Sequence, residues 1–390
     1  MMHIFINALA ASAGGGLTYV RNVIPQLARR DDVRATVLLV PRLRREMPVS
    51  SNIAFLEQED SRGMLRRAWF EQRAVREMIR GSKADVLLST GNFSLWNPGV
   101  PQILLSRNSL YTSQDFLADL RRRGEHRMRL ETQIKGVLAR WSIRAADRVV
   151  APSEAFAEEL RRWTGKPVAC IHHGFDPGAF AGDGSPLPEA IRQKLEPAGD
   201  ALKLLFVSHY NYYRNFETLI RAMLLIKQQT HPRRVKLFLT CRLAPGSNPG
   251  RYNPEAEAAL VRDLSLSDDV VQLDAIPYPL LHHVYKAADI YVTPAYAESF
   301  AHPLVEAMFS RLPIVASDLP VHQEICGAAG LFFSRYSPEE LAQRVCEVAR
   351  SPRLAAGLTQ NGVARAAQFS WKLHVESIIS MARSLAGAGT

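Results

Sequence analysis

Apolar runs of three to seven residues recur along the chain, and most are followed by a loop and then by a longer stretch of helical periodicity. In the first part, His3 to Leu9, Ala35 to Val40, Val86 to Ser89, Ile103 to Leu105 and Arg148 to Ala151 read as strands. Leu202 to Ser208, Val235 to Thr240, Val270 to Leu273, Ile290 to Thr293 and Ile314 to Ala316 repeat the pattern further on. Helices are expected at Leu17 to Arg29, Arg62 to Arg80, after Ser153, at Pro303 to Phe309, Pro338 to Ala349 and Arg353 to Gln368, with a terminal one from Phe369 to Leu385. Such alternation predicts doubly wound parallel sheets, whose ligands bind in the loops past the C-terminal strand ends. The stretch Pro177 to Asp200 is rich in Gly, Pro and Ala around one short helix, Glu189 to Leu195, and is the best boundary between two cores. The expected division is residues 1–180, 181–368, and a closing segment 369–390.

Leu117 to Ala146 is predicted as one helix and is the most basic segment, with Arg121, Arg122, Arg123, Arg127 and Arg129 near its start. Leu130, Ile134, Val137, Leu138 and Trp141 share a helical face, which is expected to pack on the core while the charged face is solvated. A membrane-surface or acidic-glycan contact is the other use such a face admits. Nucleic acid is not expected, because the basic residues are not interleaved with aromatics and no known module is present.

With 390 residues, the chain is long for one core; 47% hydrophobic and 22% charged residues are the composition of a globular protein. The net charge of +10 is unevenly placed. Residues 1–180 hold 27 Lys plus Arg against 18 Asp plus Glu, a surplus of 9, which would favour an anionic partner. Cys170, Cys241, Cys326 and Cys346 are widely spaced and form no metal or redox motif, as in a reducing cytoplasm. The start, MMHIFINALAASAGGG, reads as a strand and glycine loop rather than a signal peptide, and no apolar run is long enough to span a bilayer. A cytoplasmic protein is expected, with the inner membrane face as its nearest lipid.

Two loops carry candidate chemistry. Ala13, Gly14, Gly15 and Gly16 follow the first strand and allow a ligand to approach a helix N-terminus, although their spacing is not the dinucleotide fingerprint. The stretch ADIYVTPAYAESFAHPLVEAMFSRLPIVASDLPVHQEICGAAGLFF, from Ala288, sets a strand, a tight loop, a helix and a second strand in immediate succession. Glu298 and Glu306 stand eight positions apart in it. Between them Ser299, Phe300, Ala301 and His302 would offer backbone amides at the positive end of a helix, a site for phosphate.

This stretch, with Arg311 to Ser317 and Pro320 to Glu324 after it, resembles the signature of the retaining GT-B glycosyltransferases of family 4. The resemblance implies two Rossmann-like domains facing an interdomain cleft: an N-terminal acceptor domain, a C-terminal nucleotide-sugar domain, and a last helix that crosses back, anchored by Trp371. It implies that Glu306 binds the ribose hydroxyls and Glu298 the donor sugar. Gly15 and Gly16 would lie between the donor phosphates and the acceptor, and Ile276, in the turn Ala275 to Pro277, would meet the nucleobase through its backbone. The family's arginine and lysine, directed at the donor diphosphate, correspond to His209 and Arg214 in the loop after Leu202 to Ser208. Arg214 keeps a permanent charge, whereas His209 is fully charged only below a pH near its ordinary pKa. Arg107 and Asn108 stand where a histidine and an aspartate are common, so the acceptor position carries over but not the function.

The activity implied is transfer of a sugar from a nucleotide-diphosphate sugar, as co-substrate, to a hydroxyl of a glycan or lipid-linked acceptor, with retention, in surface polysaccharide or glycolipid synthesis. No other cofactor is expected and no metal, because Arg214, His209 and the Ser299 to Ala301 amides can hold the leaving diphosphate. His172 and His173, as neighbours on a strand, would point to opposite sides. A nucleotide-sugar epimerase or a phosphorylase-like enzyme on the same frame, and a non-catalytic nucleotide- or glycan-binding protein, are the alternatives. Neither base, sugar, acceptor nor oligomeric state is legible.

Overall fold

The computed structural model describes residues 1–11, 14–59 and 70–387, so Ala13 and the first part of the predicted helix Arg62 to Arg80 lie outside the described residues. The chain divides into two compact units, one made of 1–112, 125–174 and 370–390, the other of 113–124 and 175–369. Residues 113–124 thus group with the second unit although they lie far inside the stretch assigned to the first domain.

The first unit is built on β1 (Met2–Asn7), β2 (Val33–Leu39), β3 (Ile53–Glu57), β4 (Val86–Ser89), β5 (Gln102–Leu105), β6 (Arg148–Ala151) and β7 (Ala169–Cys170). They form a parallel sheet in the order β3-β2-β1-β4-β5-β6-β7. β1, β4 and β5 are buried along most of their length, which is why they read as continuous apolar runs. The second unit holds β8 (Leu202–Phe206), β9 (Val235–Leu239), β10 (Val270–Gln272), β11 (Ile290–Thr293), β12 (Ile314–Ser317) and β13 (Gly330–Phe333), a parallel sheet in the order β10-β9-β8-β11-β12-β13. The three strands that the pattern did not predict, β3, β7 and β13, are sheet edges. Each pairs on one side only and is partly exposed, so none needs an unbroken apolar run.

Two helical expectations are corrected. The glycines Gly14 to Gly16 are not a loop before a helix but its first turn, in helix Gly14–Ala28. A Cβ on Gly16 would lie 3.1 Å from the Ala11 Cα, so the close return of the chain leaves little room for a side chain there. The basic segment is two helices, Gln114–Arg122 and His126–Ala145, broken at Gly124, whose φ of +72° suits glycine.

In the second of these helices the buried residues are Gly136, Ala139, Ser142 and Ile143, while Leu130, Ile134, Val137 and Trp141 face solvent. Four of the five residues of the predicted core face are therefore on the outer face, and Leu138 is half-buried. The cause is close packing: a Cβ on Gly136 would already stand 3.5 Å from the Tyr111 carbonyl oxygen and 4.0 Å from the Trp163 ring. The small residues Gly136, Ala139 and Ser142 seat the helix at that distance, with Ile143 buried at its end.

Candidate functional site

In the second sheet the strand order reverses between β8 and β11, and a crevice for ligands is expected beyond the C-terminal ends of that pair. β8 leads into the loop 207–215 and β11 into 294–301. The two loops are stitched together. The Tyr296 amide donates to the Tyr213 carbonyl at 3.0 Å, and Asn215 Nδ2 donates to the carbonyls of Pro294 (3.2 Å) and Arg335 (2.7 Å). Asn215 has φ +55°, a left-handed conformation that asparagine tolerates better than most residues. Sequence reasoning passed over this residue; an asparagine just before a helical pattern was its one signal.

On this frame Arg214, in the 3-10 turn Tyr212–Arg214, forms an ion pair with Glu298. Their side chains are only 18% and 12% exposed. Burial acts to lower the arginine's pKa, but the neighbouring Glu298 carboxylate, with Tyr213 and Tyr291, outweighs it and holds the group above its ordinary value. Its guanidinium stands 5.3 Å from the centre of the Tyr213 ring, and its Nε is buried without a hydrogen-bond partner. His209 lies earlier in the same loop. Partial desolvation, then the Arg214 charge, keeps its pKa below the ordinary value, so the ring is predominantly neutral at pH 7.

Glu306 lies within helix His302–Phe309 and is 5% exposed. Burial raises its pKa to about 7, against a smaller opposing effect of the Tyr285 hydroxyl, which donates to its Oε2 at 2.8 Å. Tyr285 stacks near Tyr291 on β11, with ring centres 5.9 Å apart. Tyr278 opens the 3-10 turn Tyr278–Leu280 two residues after Ile276; burial and then the Glu306 carboxylate push its phenol upward, which places this turn within electrostatic reach of Glu306. Tyr285 and Tyr278 were not singled out in the sequence, where an isolated tyrosine resembles any core residue.

Ala301 is the N-cap residue of helix His302–Phe309 and has φ +67°, ψ +65°. A left-handed alanine costs roughly 1–2 kcal/mol, so the loop carries local strain at the turn into the helix. Phe300 is buried, with its ring 4.8 Å from the His302 ring and 5.5 Å from that of Phe369. Behind the loop, the buried His322 lies 3.0 Å from Ser317 Oγ through Nδ1, and its Nε2 has no partner. Burial lowers its pKa to about 3, so it is neutral.

The first unit collects the other candidates. Arg107 follows β5 and donates to the Gly15 carbonyl at 2.8 Å and to the Thr90 carbonyl, with its guanidinium 5.0 Å from the centre of the Tyr19 ring. Burial lowers its pKa to about 10, which leaves it charged at neutral pH. Gly15 and Gly16 are thus brought to Arg107. Asn108 instead serves the backbone: its Oδ1 accepts from the Leu110 amide at 3.0 Å and caps the turn Ser109–Tyr111. His172 and His173 lie beyond the end of β7 and not on a strand; the buried His173 ring packs among Tyr19, Trp371 and His374.

A separate cavity of about 320 Å³ in the second unit is lined by Arg122, Arg123, Arg221, Glu217, Glu257 and Asp263. Each of its arginines is already ion-paired, so it presents no unmatched cation.

Residues 13–179 match the family described as Glycosyltransferase Family 4, and residues 188–365 the family described as Glycosyl transferases group 1. The chain belongs to the group 1 glycosyltransferases of family 4. Among curated relatives it is 30% identical over 233 residues to D-inositol 3-phosphate glycosyltransferase 2 of Catenulispora acidiphila, covering 58% of this chain and 53% of the relative. It is also 30% identical over 242 residues to the D-inositol 3-phosphate glycosyltransferase of Actinosynnema mirum, covering 60% and 57%. The chain spans about half the length of the curated relatives it matches. Among solved structures it is similar to sucrose-phosphate synthase from Thermosynechococcus elongatus, with TM-score 0.74, 21% identity and full coverage of both chains. It is also similar to HepE of Anabaena in complex with UDP-glucose, with TM-score 0.71, 19% identity, and 99% and 100% coverage. These likenesses define the fold as GT-B, two Rossmann-like units on parallel sheets, as the resemblance implied. The epimerase alternative is not favoured by these matches.

Proposed function

We propose that this chain transfers a sugar from a nucleotide-diphosphate sugar to an acceptor hydroxyl with retention at the anomeric carbon. The observation that carries the reading is the juxtaposition of Arg214 and Glu298 at the switch point of the second sheet, on loops tied together through Asn215. Departure of the nucleoside diphosphate builds negative charge, and Arg214 is a permanent cation held in a nearly dry setting, where its attraction for that charge is strongest. His209 supplies a hydrogen-bond donor beside it. The N-terminal end of helix His302–Phe309 adds its dipole. Glu306 receives the ribose hydroxyls, which can replace the hydration its carboxylate lacks, and Glu298 orients the sugar. Ile276 contributes backbone to the base. HepE, of the same fold, is seen with UDP-glucose, which supports a nucleotide-sugar donor.

No metal is needed in this scheme, because the cationic and dipolar groups named act on the diphosphate themselves. The acceptor is read as a glycan or lipid-linked hydroxyl compound, with the basic N-terminal stretch favouring an anionic one, in surface polysaccharide or glycolipid synthesis at the cytoplasmic face of a membrane. The test is a panel of nucleotide sugars assayed for hydrolysis and transfer, with and without EDTA, with product stereochemistry read by NMR. Turnover that survives chelation, yields the retained anomer and falls at least ~100-fold in Arg214→Ala supports the reading. Transfer undiminished in Arg214→Ala places the site elsewhere.

A further inference from the structure

The helix His126–Ala145 exposes residues that a stable core would ordinarily claim. Leu130 is 59% exposed, Ile134 47%, Val137 52% and Trp141 54%. At 100° per residue the four fall within an arc of about 60° and run for roughly 16 Å along the helix. Single exposed apolar residues are ordinary, but an aligned stripe of four large ones, including a tryptophan, marks an interaction surface. The opposite face is seated by Gly136, Ala139, Ser142 and Ile143, so the stripe cannot turn inward without clashing at Tyr111.

The charges beside the stripe are basic. Arg140 and Arg144 are exposed along one side and Arg127 along the other. The helix itself carries one acidic residue, Glu131, paired with Arg127; Glu125 and Asp147 lie just outside its two ends, and on the neighbouring helix Glu154–Thr164 the acidic Glu154 and Glu158 are paired with Arg161, with Glu159 beside Arg162. Arg144 donates through Nε to the Thr164 carbonyl and Arg140 lies 6.0 Å from the centre of the Trp163 ring, which holds the guanidinium side of the helix in place. The surrounding stretch, residues 1–180, carries the surplus of 9 positive charges.

We propose that this helix docks the protein on an anionic lipid surface, with Leu130, Ile134, Val137 and Trp141 entering the headgroup and acyl boundary and Arg127, Arg140 and Arg144 meeting lipid phosphates. Tryptophan is suited to that boundary, and arginines beside an apolar stripe can keep their heads at the phosphate level. Charge decides between this occupant and a second copy of the chain. Two such stripes packed face to face would oppose arginine to arginine, whereas an anionic surface attracts Arg140 and Arg144, with Arg127 at the edge sharing its charge with Glu131. An acidic glycan in solution would use the arginines but leave the apolar stripe in water. Among the described residues no helix is long and apolar enough to cross a membrane, so the contact is peripheral. This proposal rests on the surface and not on the transfer reaction.

The experiment is co-sedimentation of the full chain with phosphatidylcholine vesicles containing about 30% phosphatidylglycerol, against phosphatidylcholine alone, at low and high salt. Binding to the anionic vesicles that weakens in high salt is expected, with a loss of at least ~10-fold in partitioning for Ile134→Ser/Trp141→Ser and for Arg140→Glu/Arg144→Glu. Circular dichroism of each variant checks folding. Should a double variant misfold, brominated lipids serve instead, quenching fluorescence in the unaltered chain and clearly less in Trp141→Phe. A chain that stays in the supernatant with anionic vesicles overturns the proposal, as does equal partitioning of folded variants. A dimer that Ile134→Ser/Trp141→Ser dissociates, without vesicle binding, assigns the stripe to a second copy and overturns it too.

Discussion

Glu306 is a carboxyl group placed where its charge is poorly solvated, and this has a measurable consequence for stability. Its folded pKa of about 7 lies above the ordinary 4.5, so between these values the folded chain holds a proton that the unfolded chain has released. Its contribution therefore falls as pH rises through that window, and it is fully unfavourable above about pH 7. At about 1.4 kcal/mol per pH unit of displacement, Glu306→Gln should gain on the unaltered chain from near zero at pH 4.5 to at most about 3 kcal/mol at pH 8. Denaturant unfolding at several pH values measures it, and a difference that does not change with pH would show that Glu306 titrates normally. Glu298 calls for a different test because it already occupies Arg214. Glu298→Gln should leave the affinity for free nucleoside diphosphate intact or raise it, since Arg214 is released, while affinity for the nucleotide sugar falls roughly tenfold relative to it. Calorimetric titration with both ligands decides the matter, and parallel losses would remove Glu298 from sugar recognition.

The same loop poses a question about its element. Helix His302–Phe309 begins from Ala301 in the left-handed region, a conformation glycine adopts without Cβ strain. Ala301→Gly should stabilise the fold by about 0.5–1 kcal/mol, the relief of strain less the added entropy of the unfolded chain, and thermal unfolding will show it. A lower melting temperature would mean that the Ala301 side chain, itself buried, packs to greater effect than its backbone strains. Elements were legible in the sequence to the degree that they were buried on both faces: β4, β6 and β11 were bounded to the residue, and the hydrophobic pattern missed the edge strands β3, β7 and β13. The loop elements that hold the site were less legible. Arg214 and Glu298 are 84 residues apart, and no local pattern states that Asn215 ties their loops together.

At the scale of the whole molecule, the end of the chain completes a unit begun at its start. Helix Trp371–Gly387 groups with the first unit, where His374 Nδ1 lies 2.8 Å from the His172 carbonyl and Nε2 3.1 Å from the Tyr19 hydroxyl. Gly174 is the tightest point of this junction. A Cβ there would lie 2.0 Å from the Trp371 backbone nitrogen, a distance that no side-chain rotation relieves. Gly174→Ala should cost several kcal/mol, on the scale of severe overpacking, and expose the chain near residue 370 to protease. Unaltered melting and unaltered proteolysis would show that the junction opens at little cost.

By itself the sequence determined the alternation of strand and helix and the two-sheet architecture, because hydrophobic periodicity acts over a few neighbours, while Glu298 and Glu306 were singled out through the family resemblance of the stretch that holds them. Tertiary structure alone decided that Arg214 pairs with Glu298, that Glu306 is buried against Tyr285, and that Asn108 serves a turn. It also reversed the helix His126–Ala145. Periodicity shows that one face of a helix is apolar, but which face turns inward depends on how closely the neighbouring backbone approaches, and at Gly136 it approaches too closely for anything but small side chains.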